Sequence, residues 1–472
     1  MKPLPRTPLE DWIGARLGMA PGLRFTRDQL ESYQLERLNE TLAHAARFSP
    51  YYRRQWEDCS VPRLSHIDEL AAWPLTPSEA LHTAPLDMVC GSQSEVARVV
   101  TLPTSGTTGD PKRIFFSDAD LAQTVDFFHH GMATLVRSGQ RVLILLPGEL
   151  PDSVGALLNR ALARMGVAGV VHGPVVDPGL TIRTILERRI DSLVGIPVQV
   201  LALVRHPESA RIPPGVIQSV LLSTDYVPRA IVSAIQEAWG CEVFQHYGMT
   251  EMGYGGAVEC AAHCGYHLRE VDLLFEIIDP VTEQPVDNGR LGEVVFTTLT
   301  RHTMPLVRYR TGDLAAWIDG SCRCGSALRR MGWVQGRLAD SICLTGDLVL
   351  DLASLDEALF ALPGTVNFQA TLHCGRRETS LEVTLYAMRE GEPAPSRVVA
   401  ALRRVPAIQA ALAEKALILA PLSVLAVGCG AAWDAVATGH VGSVSAGSAT
   451  KRRIVIQEMR STEHDRYCRK SL

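Results

Sequence analysis

Leu102-Pro103-Thr104-Ser105-Gly106-Thr107-Thr108-Gly109-Asp110-Pro111-Lys112 is the stretch from which the fold is read. Four hydroxyls, two glycines and a lysine crowd into the nine residues from Thr104 to Lys112. Glycines let backbone N–H groups close on an anion, hydroxyls donate further hydrogen bonds, and the lysine adds positive charge. The composition suits a polyphosphate. A Walker loop ends in Gly-Lys-Ser/Thr and opens a helix. Here Pro111 precedes the lysine, so the segment reads as a loop. A polar surface turn has a similar composition, and the sequence downstream decides between the two.

Three further motifs follow in order: Tyr247-Gly248-Met249-Thr250-Glu251, Tyr309-Arg310-Thr311-Gly312-Asp313-Leu314, and Gly336-Arg337-Leu338-Ala339-Asp340. With the first, they resemble the core motifs of the acyl-adenylate-forming (AMP-binding) superfamily, over about residues 26–455. Within it the likeness is to the phenylacetate–CoA ligase branch. Leu35-Glu36-Arg37-Leu38, Ser49-Pro50-Tyr51-Tyr52-Arg53, Thr297-Thr298-Leu299-Thr300-Arg301 and Met304-Pro305-Leu306-Val307-Arg308-Tyr309-Arg310 carry it.

The chain has 472 residues, too many for one ordinary core, so more than one domain is expected. Thr26 and Gln29 form a capping-box pattern ahead of a helix with Leu30, Leu38, Leu42 and Ala45 on one face, ended by Pro50. Val142–Leu146, Gly169–Val171, Ser192–Ile196 and Val220–Leu222 are short unalternated apolar runs bounded by Gly, Pro or Ser. Such runs fit strands of a parallel sheet covered on both faces. Leu273–Pro280 and Gly292–Thr298 read as paired strands. Phe368/Ala370/Leu372 and Leu381/Val383/Leu385 alternate as half-buried strands, and 428–450 is rich in Gly, Ala and Ser, the composition of a mobile loop. The expected fold is α/β: a large multi-sheet adenylate-forming domain over 1–336, with a β-rich subdomain at about 268–335. A small, mobile α+β lid domain over 337–472 follows.

The resemblance implies an ATP-dependent acid–CoA ligase that activates a carboxylic acid as acyl-AMP and passes it to CoA. The branch favours an aryl or arylacetic acid. It implies that Thr104, Ser105, Gly106, Thr107, Thr108, Gly109 and Lys112 clamp the β- and γ-phosphates. Glu251, beside Thr250, would hold Mg²⁺, a hard cation that wants oxygen ligands. Tyr247 would stack on adenine, with Gly248 and Met249 in the same motif. Ser223-Thr224-Asp225 follows an expected strand, at the carboxyl end where open α/β sheets bind ligands; it stands where relatives carry a Gly-rich adenine-facing segment. Asp313 would accept both ribose hydroxyls, as a carboxylate with two acceptor oxygens can. Arg337 would reach the same ribose or a phosphate, and Asp340 would sit at the hinge. Lys451, in Ser448-Ala449-Thr450-Lys451-Arg452-Arg453, matches the C-terminal catalytic lysine, although Thr450 replaces the usual glycine. His246, Phe115, Phe116, Phe127 and Phe128 either line the acyl pocket or pack the core.

Of eleven cysteines, seven are scattered. Cys260/Cys264 and Cys322/Cys324 form two close pairs, a pattern that in a reducing compartment binds zinc more often than it forms disulfides. The branch pattern maps to Cys260, His267, Cys322 and Cys324; Cys264 in place of His267 gives an all-thiol alternative. Either set is a closed, structural site.

A net charge of −5 offers no basic face for nucleic acid. No apolar run reaches the length of a membrane span, and the N-terminus lacks the apolar stretch of a secretory signal. A cytoplasmic enzyme is expected, with monomer and homodimer both open. Two other functions stay open: transfer of the acyl group to a carrier protein or an amine, and a non-catalytic homologue that binds acyl-adenylate.

Overall fold

The structure is a computed structural model; it describes residues 4–56, 63–102, 111–345, 348–375, 379–389, 392–427 and 454–458. The capping box forms as read: the Thr26 side chain accepts from Gln29 N–H, and Gln29 Oε1 accepts from Thr26 N–H at 2.8 Å. The helix Arg27–Phe48 buries Leu30, Leu38, Leu42 and Ala45. Pro50 ends it and opens the helix Pro50–Gln55 at the first position, where its missing N–H costs nothing.

Strands β1 (Arg98–Leu102) and β2 (Lys112–Phe116) form an antiparallel pair whose connection is the Ser/Thr/Gly segment. Lys112 is thus the first residue of a strand. Next come β3 (Arg141–Ile144), β4 (Ala168–Val171), β5 (Ser192–Gly195), β6 (Ser219–Leu222) and β7 (Glu242–Tyr247). They lie parallel in the order β7-β6-β5-β3-β4. β5 and β6 are buried at every residue, which is why their sequences do not alternate. β8 (Ala257–Glu259) and β9 (Tyr266–Leu268) continue this sheet antiparallel beyond β7.

β10 (Leu273–Ile278), β11 (Gly292–Thr298) and β12 (Tyr309–Ala315) build a second, antiparallel sheet. β13 (Trp317–Ile318) and β14 (Arg330–Met331) return to the large sheet through β9 and complete its nine strands. β15 (Gly336–Arg337) then closes the second sheet on β12. The stretch read as one β-rich unit therefore divides between two sheets. β16 (Ser341–Thr345) and β17 (Leu348–Asp351) form a hairpin. β18 (Thr365–Cys374), β19 (Thr379–Ala387), β20 (Leu417–Leu419), β21 (Ser423–Ala426) and β22 (Val455–Glu458) form the last sheet, with β18 and β19 antiparallel at its centre. Its helix Leu352–Phe360 touches the large sheet's helices: Glu357 Oε1 accepts from Tyr226 O–H at 2.8 Å and from Arg229 N–H at 3.0 Å. Among the described residues, no helix is long and apolar enough to cross a membrane.

Candidate active site

The motif residues converge at the carboxyl ends of β6 and β7 and on one face of β12. Tyr309, Thr311 and Asp313 alternate with more exposed neighbours along β12, so they share its inward face. At one end of that face, Asp313 Oδ2 accepts from Tyr247 O–H at 3.0 Å. Its Oδ1 lies 2.6 Å from Nε of Arg337. Asp313 and Arg337 are direct cross-strand partners in β12 and β15, which fixes the pair. Burial would lower Arg337; the adjacent carboxylate more than reverses this and raises it. Burial, then Asp313, pushes the Tyr247 hydroxyl well above its ordinary range. Asp313 is thus an enclosed acceptor, bonded on both oxygens.

At the other end, Lys112 Nζ donates to Glu251 Oε1 at 2.6 Å and to Tyr309 Oη at 2.9 Å. The Tyr309 hydroxyl donates to the same Glu251 oxygen at 3.1 Å. Glu251 sits in a single 3₁₀ turn, Thr250–Met252, and its carbonyl accepts from Arg301 Nη1 at 2.7 Å. Arg301 is buried, lies 5.0 Å from the Phe116 ring, and so ties that turn to β2. Gly248 is required by packing: a Cβ there would stand 2.5 Å from the Tyr254 carbonyl oxygen and 2.8 Å from Gly255 Cα. Met249 is the cap residue of the 3₁₀ turn.

Ser223, Thr224 and Asp225 follow β6 directly. Thr224 adopts φ +77°, a conformation glycine enters freely and threonine rarely does. One position of the Ser-Thr-Asp segment thus carries a glycine-like backbone conformation. Ser223 Oγ lies 2.8 Å from Nδ1 of His246. Phe115, Phe116, Phe127 and Phe128 are all buried. Thr104, Ser105, Gly106, Thr107, Thr108, Gly109, Thr450, Lys451, Arg452 and Arg453 lie outside the described residues.

The sequence reading gave no role to Tyr309 or Arg301, though both stand inside quoted motifs. Only the fold shows that one bridges Lys112 to Glu251 and the other braces the Glu251 backbone. Their place inside the quoted motifs was the available signal.

Beyond β8, four side chains gather. Cys260, His267, Cys322 and Cys324 place one donor atom each within 4.8 Å of one another, all buried. Cys260 Sγ is 3.7 Å from Cys322 Sγ, and Cys324 Sγ is 3.3 Å from His267 Nε2. Ala262 N–H points at Cys260 Sγ, and Cys324 N–H at Cys322 Sγ. A hydrogen bond from Cys260 holds Cys324 down to about 3 against its burial. Burial lowers His267, but its bonds to Cys322 and Cys324 outweigh this and bring it to about 9. Cys264 is not brought in: its Sγ accepts from Arg330 Nη1 at 3.2 Å. Three thiols and an imidazole at this spacing fit a closed tetrahedral zinc site.

A parallel sheet with ligand groups at its carboxyl edge, a buried acid and a lysine-paired carboxylate define an adenylate-forming enzyme. The chain belongs to the AMP-binding enzyme family, whose model matches residues 61–301. It is 29% identical over 382 residues to the phenylacetate-coenzyme A ligase of Thermus thermophilus, covering 78% of this chain and 83% of that one. It is 30% identical over 333 residues to the phenylacetate-coenzyme A ligase of Pseudomonas putida, covering 68% and 73%. A crystal structure of 2-hydroxyisobutyryl-CoA ligase in its postadenylation state shares the fold, with a TM-score of 0.71, 19% identity, and coverage of 92% and 91%.

Proposed function

We propose that this ATP-dependent, AMP-forming acid–CoA ligase takes an aryl or arylacetic acid. The observation that carries the nucleotide assignment is Asp313, enclosed and held between Tyr247 and Arg337. Its two oxygens then meet the ribose hydroxyls. Lys112 and the Thr104–Gly109 segment bind the β- and γ-phosphates. Glu251 would hold Mg²⁺, which screens the phosphate charge; its carboxylate now lies against Lys112 and is well suited to that exchange. Lys451 steadies the charge that develops at the α-phosphate as pyrophosphate leaves. Acyl-AMP then passes its acyl group to CoA, and the segment after about residue 337 acts as the lid. Zinc is held by Cys260, His267, Cys322 and Cys324, in a structural role. The aromatic residues near His246 and the relatives' shared name support an aryl-bearing acid, and CoA as acceptor over a carrier protein or amine.

ATP–pyrophosphate exchange against phenylacetic, benzoic and short aliphatic acids, followed by detection of the CoA thioester, tests this. We expect exchange and thioester formation with an aromatic acid. Exchange only with aliphatic acids would refute the substrate class. Exchange without thioester would refute CoA as acceptor.

A further inference from the structure

Glu259 is a carboxylate sealed inside the fold, 1% exposed, to which neither the nucleotide nor the metal chemistry gives a role. It ends β8. Among the described residues it makes no ion pair with a lysine or an arginine; His263 Nδ1 lies 3.5 Å away. Two N–H donors hold it instead. Oε2 accepts from the Gln245 backbone N–H at 2.8 Å, and Oε1 accepts from the Trp333 indole N–H at 2.6 Å. Burying a carboxylate is costly, so its acceptor bonds call for an explanation.

Both donors lead to the nucleotide acid. Gln245 stands two residues before Tyr247 on β7. Trp333 stands in the link 332–335 between β14 and β15, and β15 sets Arg337 opposite Asp313. The link runs along the end of β12: Gly332 N–H donates to the Ala316 carbonyl and Gln335 N–H to the Leu314 carbonyl, each at 2.8 Å. The Val334 backbone bonds the Tyr266 hydroxyl. Tyr266 lies opposite Glu259 across β8 and β9, and its ring centroid is 6.1 Å from that of Tyr247. One cross-strand pair thus holds the link through two adjacent residues. The same pair immediately precedes Cys260 and His267 in the chain, so the sulfur corner and the nucleotide acid share this brace.

Trp333 does not fill the core. It is 39% exposed, so packing leaves one side of its ring free. Its single polar atom is a donor, and the buried carboxylate takes it. That bond fixes the direction of the indole and, through it, the path of the link.

We infer that Glu259 and Trp333 are positioning residues for ATP: the carboxylate anchors the indole, the indole fixes the link, and the link sets Arg337 against Asp313. Both act through that pair, not by touching the nucleotide. The inference rests on the ribose role of Asp313 and extends it to the residues that hold the acid in place.

The test measures Kd for ATP and for 2′,3′-dideoxy-ATP, each with Mg²⁺, by isothermal titration calorimetry. Wild type, Trp333→Phe, Glu259→Gln and Asp313→Ala are compared, with thermal melting as the check on folding. Phenylalanine keeps a ring and removes the donor; glutamine keeps one acceptor oxygen and sets an amide NH₂ against a donor. Wild type should prefer ATP over the dideoxy analogue by about tenfold or more, because a site built to bond hydroxyls rejects a ligand without them. Asp313→Ala should bring that ratio toward one. Trp333→Phe and Glu259→Gln should each lower it by about threefold or more, with binding stoichiometry still near one. A purely structural role would lower melting temperature or stoichiometry and leave the ratio at the wild-type value, and that result overturns the inference. If Glu259→Gln does not fold, Trp333→Phe decides. A wild type that does not distinguish the two nucleotides, or an Asp313→Ala variant that still does, instead removes the ribose reading of Asp313, and this inference with it.

Discussion

Asp313 shows what a single residue does here and how much of that was readable. Each of its oxygens already carries a hydrogen bond, to Tyr247 and to Arg337, so its position is set before nucleotide arrives. Asp313→Ala removes that acceptor and leaves Arg337 without its ion-pair partner. A hydrogen bond to a charged group is worth roughly 1.5–3 kcal/mol, and about 1.4 kcal/mol is tenfold in affinity. We expect the ATP KM in the exchange assay to rise by at least about tenfold, with a lower melting temperature. An unchanged KM would remove Asp313 from the nucleotide site. The acid itself was legible because it sits in a motif. Its partners were not. Tyr247 lies 66 residues away, and only the register of β12 against β15 brings Arg337 opposite. The same holds for Lys112 and Glu251, whose contact spans 139 residues.

At the scale of elements, two short turns carry the sulfur cluster. One joins β8 to β9 and supplies Cys260, with His267 following as the middle residue of β9; the other joins β13 to β14 and supplies Cys322 and Cys324. β9 pairs with β14, Arg330 opposite His267, and this pairing clamps the turns together. The sequence spacing made both turns visible as half-sites. It left Cys264 and His267 as rivals, because they stand three residues apart in the same stretch of sequence; the fold sends Cys264 to Arg330 instead. The N-terminal segment depends on this corner: Leu4 packs on the cluster, and Glu10 Oε2 accepts from Ala327 N–H at 2.9 Å. We therefore expect about one zinc per chain by metal analysis. Cys322→Ser should lose the metal and melt at lower temperature, while Cys264→Ser should keep it. Metal binding contributes directly to folding when ligands from distant turns are joined. Loss of zinc in Cys264→Ser with retention in a His267→Ala variant would favour the all-thiol set.

For the whole molecule, the parallel core was legible from composition because β5 and β6 are buried on both faces and have no polar side to display. The path of β13 and β14 back to the large sheet was not, since two-residue strands carry no periodicity. That assembly encloses histidines, and this gives the molecule an acid limb of stability. Burial pushes His130 and His246 each down to about 4. Unfolded histidine titrates near pH 6.5. Between roughly pH 6.5 and 4 the unfolded chain thus binds protons that the folded chain refuses, so stability falls as pH falls through that window and these groups contribute nothing further above it. For His246 the full displacement corresponds to on the order of 3 kcal/mol, less to the extent that solvent reaches the ring. Acid titration of carboxylates adds to the same limb, so the comparison must be internal. Melting temperatures of wild type and His246→Asn between pH 7.5 and 4.5 supply it. The variant has no imidazole to charge, so its melting temperature should fall less steeply over this range than that of wild type. Parallel curves would show that His246 takes up its proton as readily in the folded protein as in the unfolded chain.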